Sequence, residues 1–253
     1  MSALPVNSSN SSNPALNLTG AAFSTTQWDV VYAAAQSRQP GAGDALAQLC
    51  RNYWSPLYAF ARRQGLDPHT ARDLVQGFFE SLLSSRTYAN ATPARGKFRT
   101  FLIGGFKHYQ GDVHARAGAI KRGGGFTNIP FDESLLDARY AGAGISVSPD
   151  KIYERQWAFT VIDHALASLR AEFVAAGNDN AFATMTPFLT GDEPQSYDDA
   201  CRALGITLSA FKAQLHRLRM KFRAHLRREI ASTVDSPLEI DAEMRHLRDA
   251  LAS

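Results

Sequence analysis

Residues Ser196 to Ile230, SYDDACRALGITLSAFKAQLHRLRMKFRAHLRREI, constrain the fold most tightly, because two helical periodicities meet there at a single glycine. In the first segment Tyr197, Ala200, Cys201 and Leu204 recur at helical spacing. Gly205 interrupts the pattern, and Thr207 is placed to cap a second helix. In that second helix Phe211, Leu215, Leu218 and Phe222 form one apolar stripe. At about 100° per residue, Ser209, Lys212, Ala213, His216 and Arg217 then point away from the stripe, and Arg219, Lys221, Arg223, Arg227 and Arg228 extend the positive charge. A basic amphipathic hairpin can simply be solvated. The glycine turn followed by a hydroxyl cap matches the more specific geometry of a helix-turn-helix, whose second helix reads duplex DNA in the major groove.

The rest of the chain predicts an all-α protein, since strand signals are nearly absent. Two small helical domains joined by an irregular linker are expected, the second containing the helix-turn-helix. With 253 residues and 45% hydrophobic content, the chain can form real cores. A net charge of +3 means that any affinity for nucleic acid must come from local clustering. Residues 1–24, rich in Ser and Asn, read as a disordered leader. Residues 25–122 carry helical series at Trp28 to Ala35, Leu46 to Phe60 and Leu74 to Leu82, with Asp67 as an N-cap and Pro68 as first helical residue.

Residues 123–151 are glycine-rich and read as the linker. Periodicity resumes from Ile152, giving a second domain over 152–231. A tail over 232–253 begins with the capping pattern SPLE at Ser236 to Glu239 and continues as an amphipathic helix through Met244, Leu247 and Leu251.

Enzymatic chemistry finds little support. Lys97 follows Gly96, but Ala91 and Phe98 stand where a phosphate-binding loop needs glycine and a hydroxyl. The glycines at 123–125 follow no strand, which argues against a dinucleotide site. His108 and His114, or His216 and His225, lack metal-ligand spacing, so neither metal nor cofactor is expected. Cys50 and Cys201 have no CxxC spacing and read as reduced core residues. No apolar run reaches membrane-spanning length and the start lacks the pattern of a secretion signal, so a cytoplasmic protein without a membrane partner is expected.

Between 97 and 122, Phe98, Phe101, Phe106 and Tyr109 alternate with Arg99, Lys107, His108, His114, Arg116, Lys121 and Arg122. Aromatic faces with interleaved cations suit a single nucleic-acid strand. Most of these aromatics can equally be core, and for Phe98, Phe101 and Phe106 a core role is expected.

DLVQGFF at Asp73 to Phe79, GKFRTFL, KRGGG and the terminal helix-turn-helix, in that order, resemble the extracytoplasmic-function class of RNA polymerase sigma factors in the sigma-70 family. YWSPLYAFARRQG points to a divergent, sigma-like branch. The resemblance spans about Gln27 to Leu251 and implies a non-enzymatic bacterial factor that binds core RNA polymerase, directs it to promoters and assists promoter opening. It places polymerase docking at Asp73, Gln76 and Glu80. It places contacts to the minus-10 strand at Arg95, Lys97, Arg99, Lys107, His108 and Arg116, with Tyr88 holding an unstacked base. It places the minus-35 duplex on Ser209, Lys212, Ala213, His216 and Arg217, with Arg219 and Arg223 on phosphates.

One departure stands out: the family's acidic run before DLVQ is replaced by Thr70, Ala71, Arg72, Asp73. Phosphorylation of Thr70 by a Ser/Thr kinase would restore negative charge at a helix N-terminus, while an ordinary first-turn hydroxyl remains the plainer role. An anti-sigma factor is a further partner to expect. The alternatives are a helix-turn-helix transcriptional regulator that does not engage polymerase, and a helical scaffold protein with no affinity for DNA.

Overall fold

The computed structural model describes residues 42–92, 96–117, 147–191, 196–234 and 236–252. The expected leader, the helical series at Trp28 to Ala35, Arg95, and most of the expected linker lie outside them. Among the described residues every regular element is helical. These are α1 (Ala42–Arg63), α2 (Pro68–Ser85), a 3-10 turn (Thr87–Asn90), α3 (Phe98–Ala117), α4 (Pro149–Ala175), α5 (Asp179–Met185), α6 (Pro187–Thr190), α7 (Tyr197–Leu204), α8 (Leu208–Ala231), a second 3-10 turn (Pro237–Glu239) and α9 (Ile240–Ala252).

Local chemistry sets the boundaries. Asp67 caps α2 by accepting from the amides of His69 and Thr70, with Pro68 at the first position, as its sequence suggests. Ser148 and Pro149 do the same for α4, so that helix begins before the apolar series at Ile152, inside the stretch read as linker. Gly205 ends α7 in the left-handed region at φ 64°, and the Thr207 side chain accepts from the Ala210 amide at 3.3 Å to start α8. Ser236 likewise accepts from the Leu238 amide, and the expected tail helix follows as a 3-10 turn leading into α9.

The first core gathers one face of each of α1, α2 and α3: Tyr53, Trp54, Leu57, Phe60, Val75, Phe79, Phe98, Leu102 and Phe106 are all buried. Some of its aromatic rings meet edge to face, as between Phe60 and Phe106 at 5.9 Å and between Phe78 and Phe106 at 5.3 Å, and Trp54 stacks on Phe79. Phe98 and Phe106 thus take the core role expected of them, and Phe101 is half-buried against the same cluster. The second core joins Leu169, Phe182, Met185, Ala200, Cys201, Phe211, Leu215 and Leu218 under α7 and α8. Both cysteines are free and buried, and burial pushes the Cys50 thiol up to about 11.

The expected boundary at 123–151 does not separate these cores. Tyr153, Trp157, Ala158, Val161 and Ala165 of α4 lie in the first core, together with Leu226 and Ile230 of α8 and Leu247 and Ala250 of α9, while Leu169 of the same α4 lies in the second. Long helices bury whichever faces their neighbours offer. Sequence periodicity does not reveal which neighbour that is.

Gly77, within DLVQGFF, faces Tyr109 of α3, whose hydroxyl occupies the space a β-carbon would need. Gly77→Ala is expected to destabilise the protein by no more than about 1–2 kcal/mol, since the Tyr109 hydroxyl must move aside while alanine gains about 1 kcal/mol of helix propensity. Chemical denaturation measures it, and Tyr109→Phe in the Gly77→Ala background should recover part of the loss.

Candidate nucleic-acid interface

Three surfaces carry the residues singled out by sequence. On α2, Asp73 is exposed and pairs with His69 at 3.0 Å, one turn earlier. Glu80 is half-buried and accepts from the Gln76 side-chain amide at 3.2 Å. Gln76 itself is 6% exposed, so in this conformation it supports Glu80 and has little surface to offer a partner. Thr70 is exposed, and its hydroxyl donates to Asp67 at 2.6 Å. That bond, with the amides of Thr70 and His69, holds the Asp67 carboxyl below its ordinary value.

At the start of α3 the burial pattern departs from the sequence expectation. Tyr88, assigned to an unstacked base, is 3% exposed and belongs to the first core. Arg99, assigned to the minus-10 strand, is 4% exposed. Its guanidinium lies 4.1 Å from the centre of the Trp157 ring and bonds Glu154 at 3.0 Å. A second ion pair joins it to Glu243 of α9, and Lys97 pairs with the same carboxylate. The Tyr153 hydroxyl donates to the Arg99 carbonyl at 2.9 Å, and His246 meets Glu154 at 2.8 Å.

Helical spacing could not reveal these partners, because they lie 55 and 144 residues from Arg99. Burial raises the Glu243 pKa, but the bonds and charges of Arg99 and Lys97 outweigh it and leave the carboxyl below its ordinary value. Further along α3, Lys107 is exposed but pairs with Asp150 at 2.6 Å, and His108 is exposed. Arg116 lies in α3 with its side chain outside the described residues.

The third surface is α8. Ser209, Lys212, Ala213, His216, Arg217, Arg219 and Arg223 are all exposed, on the side opposite Phe211, Leu215 and Leu218, as the periodicity requires. Lys212, His216 and Arg217 have no ion pair or side-chain hydrogen bond among the described residues. Arg219 donates to the Phe188 carbonyl at 3.2 Å, which holds its head group against α6. Lys221 is neutralised by Glu172, which also meets His225 at 3.1 Å. The bonds from Lys221 and His225 hold the Glu172 carboxyl down. Behind this face a groove of about 360 Å³ runs between the end of α4, α5 and α8, with Phe173, Met185 and Leu218 among its walls and Arg217 and Lys221 among its polar lining.

Comparisons with protein-family models, with curated proteins and with solved structures found no match. Among the described residues no group of three His, Cys, Asp or Glu side chains is placed to hold a metal ion, and no helix is long and apolar enough to cross a membrane.

Glu243→Ala is expected to destabilise the protein by about 3–5 kcal/mol, because it removes one partner of a buried charge pair. Replacing both members, as in Arg99→Met with Glu243→Leu, should cost much less; denaturant titration of the two proteins compares them. The depressed Glu243 carboxyl stabilises the fold fully above the unfolded-state value of about 4.3, and that contribution is lost as pH falls through the lower folded value. The stability gap between wild type and Glu243→Gln should therefore narrow as pH is lowered below about 4.

Proposed function

We propose that this chain is a sigma factor of the extracytoplasmic-function class, which binds core RNA polymerase, directs it to particular promoters and assists their opening. The observation that carries the reading is the face of α8: Lys212, His216 and Arg217 stand exposed, with no ion pair among the described residues, just after the Gly205 turn and the Thr207 cap. A helix whose first turns present small, polar and basic side chains suits base edges in a major groove, with Arg223 farther along on phosphate. The motif order from DLVQGFF to the terminal helix pair adds the polymerase-binding half. On this reading the helices up to α3 serve the minus-10 element and those from α4 to α8 the minus-35 element, as two functional units sharing a packed interface.

Such a factor performs no covalent chemistry. It contributes binding energy to a promoter and captures bases as they leave the stack, a step costing a few kcal/mol. Asp73 and Glu80 give α2 an acidic surface for polymerase. Thr70 lies one turn before Asp73, in the first turn, where a phosphate would meet helix-terminal amides and also the Asp67 carboxylate. Transcription reconstituted with Thr70→Ala, Thr70→Asp and wild-type protein tests modification. Higher output from Thr70→Asp supports it, and equal output from all three removes it.

Pull-down of core polymerase followed by run-off transcription tests the main reading; failure to bind core would sink it. Duplex binding without polymerase would favour the regulator alternative instead. In duplex titrations Arg223→Ala should lower the salt slope by about 1, whereas Arg217→Ala should weaken the preferred site by about 1–3 kcal/mol and relax its sequence preference.

A further inference from the structure

We propose that α9 is an intramolecular latch: Glu243 occupies the cations at the start of α3 in place of a nucleic-acid phosphate, and a single strand must displace it. The inference rests on the sigma reading for what Lys97 and Arg99 bind. Its structural basis is independent of that reading.

The covering groups of this cationic pair come from two later helices. Glu154 and Trp157 belong to α4 and Glu243 to α9, whereas Lys97 and Arg99 open α3. Glu243 is 1% exposed, and one carboxylate serves both cations, much as a backbone phosphate between two basic side chains would.

The attachment of α9 is divided in a way that suits release. Leu247 and Ala250 are buried in the first core, and Asp241 pairs with Arg227 of α8 at 2.5 Å, so the helix is moored to α4 and α8. Its polar hold on the start of α3 runs through the Glu243 carboxylate. Because Glu243 and Arg99 are both buried, a strand reaches the pair only as the Glu243 turn of α9 lifts, while Leu247 and Ala250 farther along keep the helix seated. Lys97 is 40% exposed at its side chain and offers the first point of attack, with Arg99 following as the carboxylate leaves.

The test uses the full-length chain and a fluorescent single-stranded oligonucleotide of about a dozen nucleotides. Glu243→Gln should bind about tenfold more tightly than wild type at low salt, and its slope of log K against log salt should steepen by about 0.7 for each phosphate gained. Lys97→Gln added to Glu243→Gln should remove most of the gain. Equal affinity and slope in wild type and Glu243→Gln would overturn the proposal, as would a gain that survives Lys97→Gln, since the latter reflects only the change in net charge.

If Glu243→Gln does not fold, hydrogen exchange on the wild-type protein decides: saturating oligonucleotide should speed exchange of the α9 amides around Glu243, and unchanged or slower exchange would overturn the latch. Core-polymerase pull-down run beside these measurements separates the two ideas. Loss of polymerase binding with a retained gain in Glu243→Gln removes the sigma reading and keeps the latch, and polymerase binding without that gain does the reverse.

Discussion

The buried guanidinium of Arg99 is the interaction on which the arrangement of this protein depends. A permanent charge that is 4% exposed needs compensation from every side, and it receives it from two carboxylates and an indole face. Those partners lie on α4 and α9, so neutralising one side chain of α3 fixes where two distant helices must stand. Apolar burial drives the chain together without choosing among similar packings, and the charge requirement narrows the choice. The Tyr153 hydroxyl on the Arg99 carbonyl and the His246 contact with Glu154 extend the same polar cluster.

Around that cluster the division of labour is clear. The helices up to α3 supply an aromatic core, into which DLVQGFF is buried apart from Asp73, while α7 and α8 supply the exposed basic face. Phe222 packs against both apolar clusters, and α4 contributes buried residues to each. The α2 and α8 surfaces therefore stand on a body whose interior is shared.

Elements with strong local signals were legible in the sequence. Asp67 with Pro68, and Gly205 with Thr207, end or begin helices through bonds spanning a few residues, and the exposed face of α8 follows from its apolar stripe. Ser148 with Pro149 carried the same kind of signal, obscured by the glycine-rich stretch before it. Arg99, Tyr88 and Gln76 show where local reading runs out. A charged or polar side chain looks like surface until its partner is known, and for Arg99 the partners lie far along the chain. Glu243 looked like one member of a mixed-charge helix because nothing in its own neighbourhood marks it as buried. The resemblance of motif order supplied functional roles but no information about which of those residues the folded chain covers.

The long helix α4 has a mechanical meaning as well. Its 27 residues make a rod of about 40 Å, with Trp157 near one end against Arg99 and Leu169 toward the other beneath α8. The Arg99 charge cluster and the apolar seat of α8 are therefore held at a set separation by one continuous helix, so the chain's two cores share a single internal ruler.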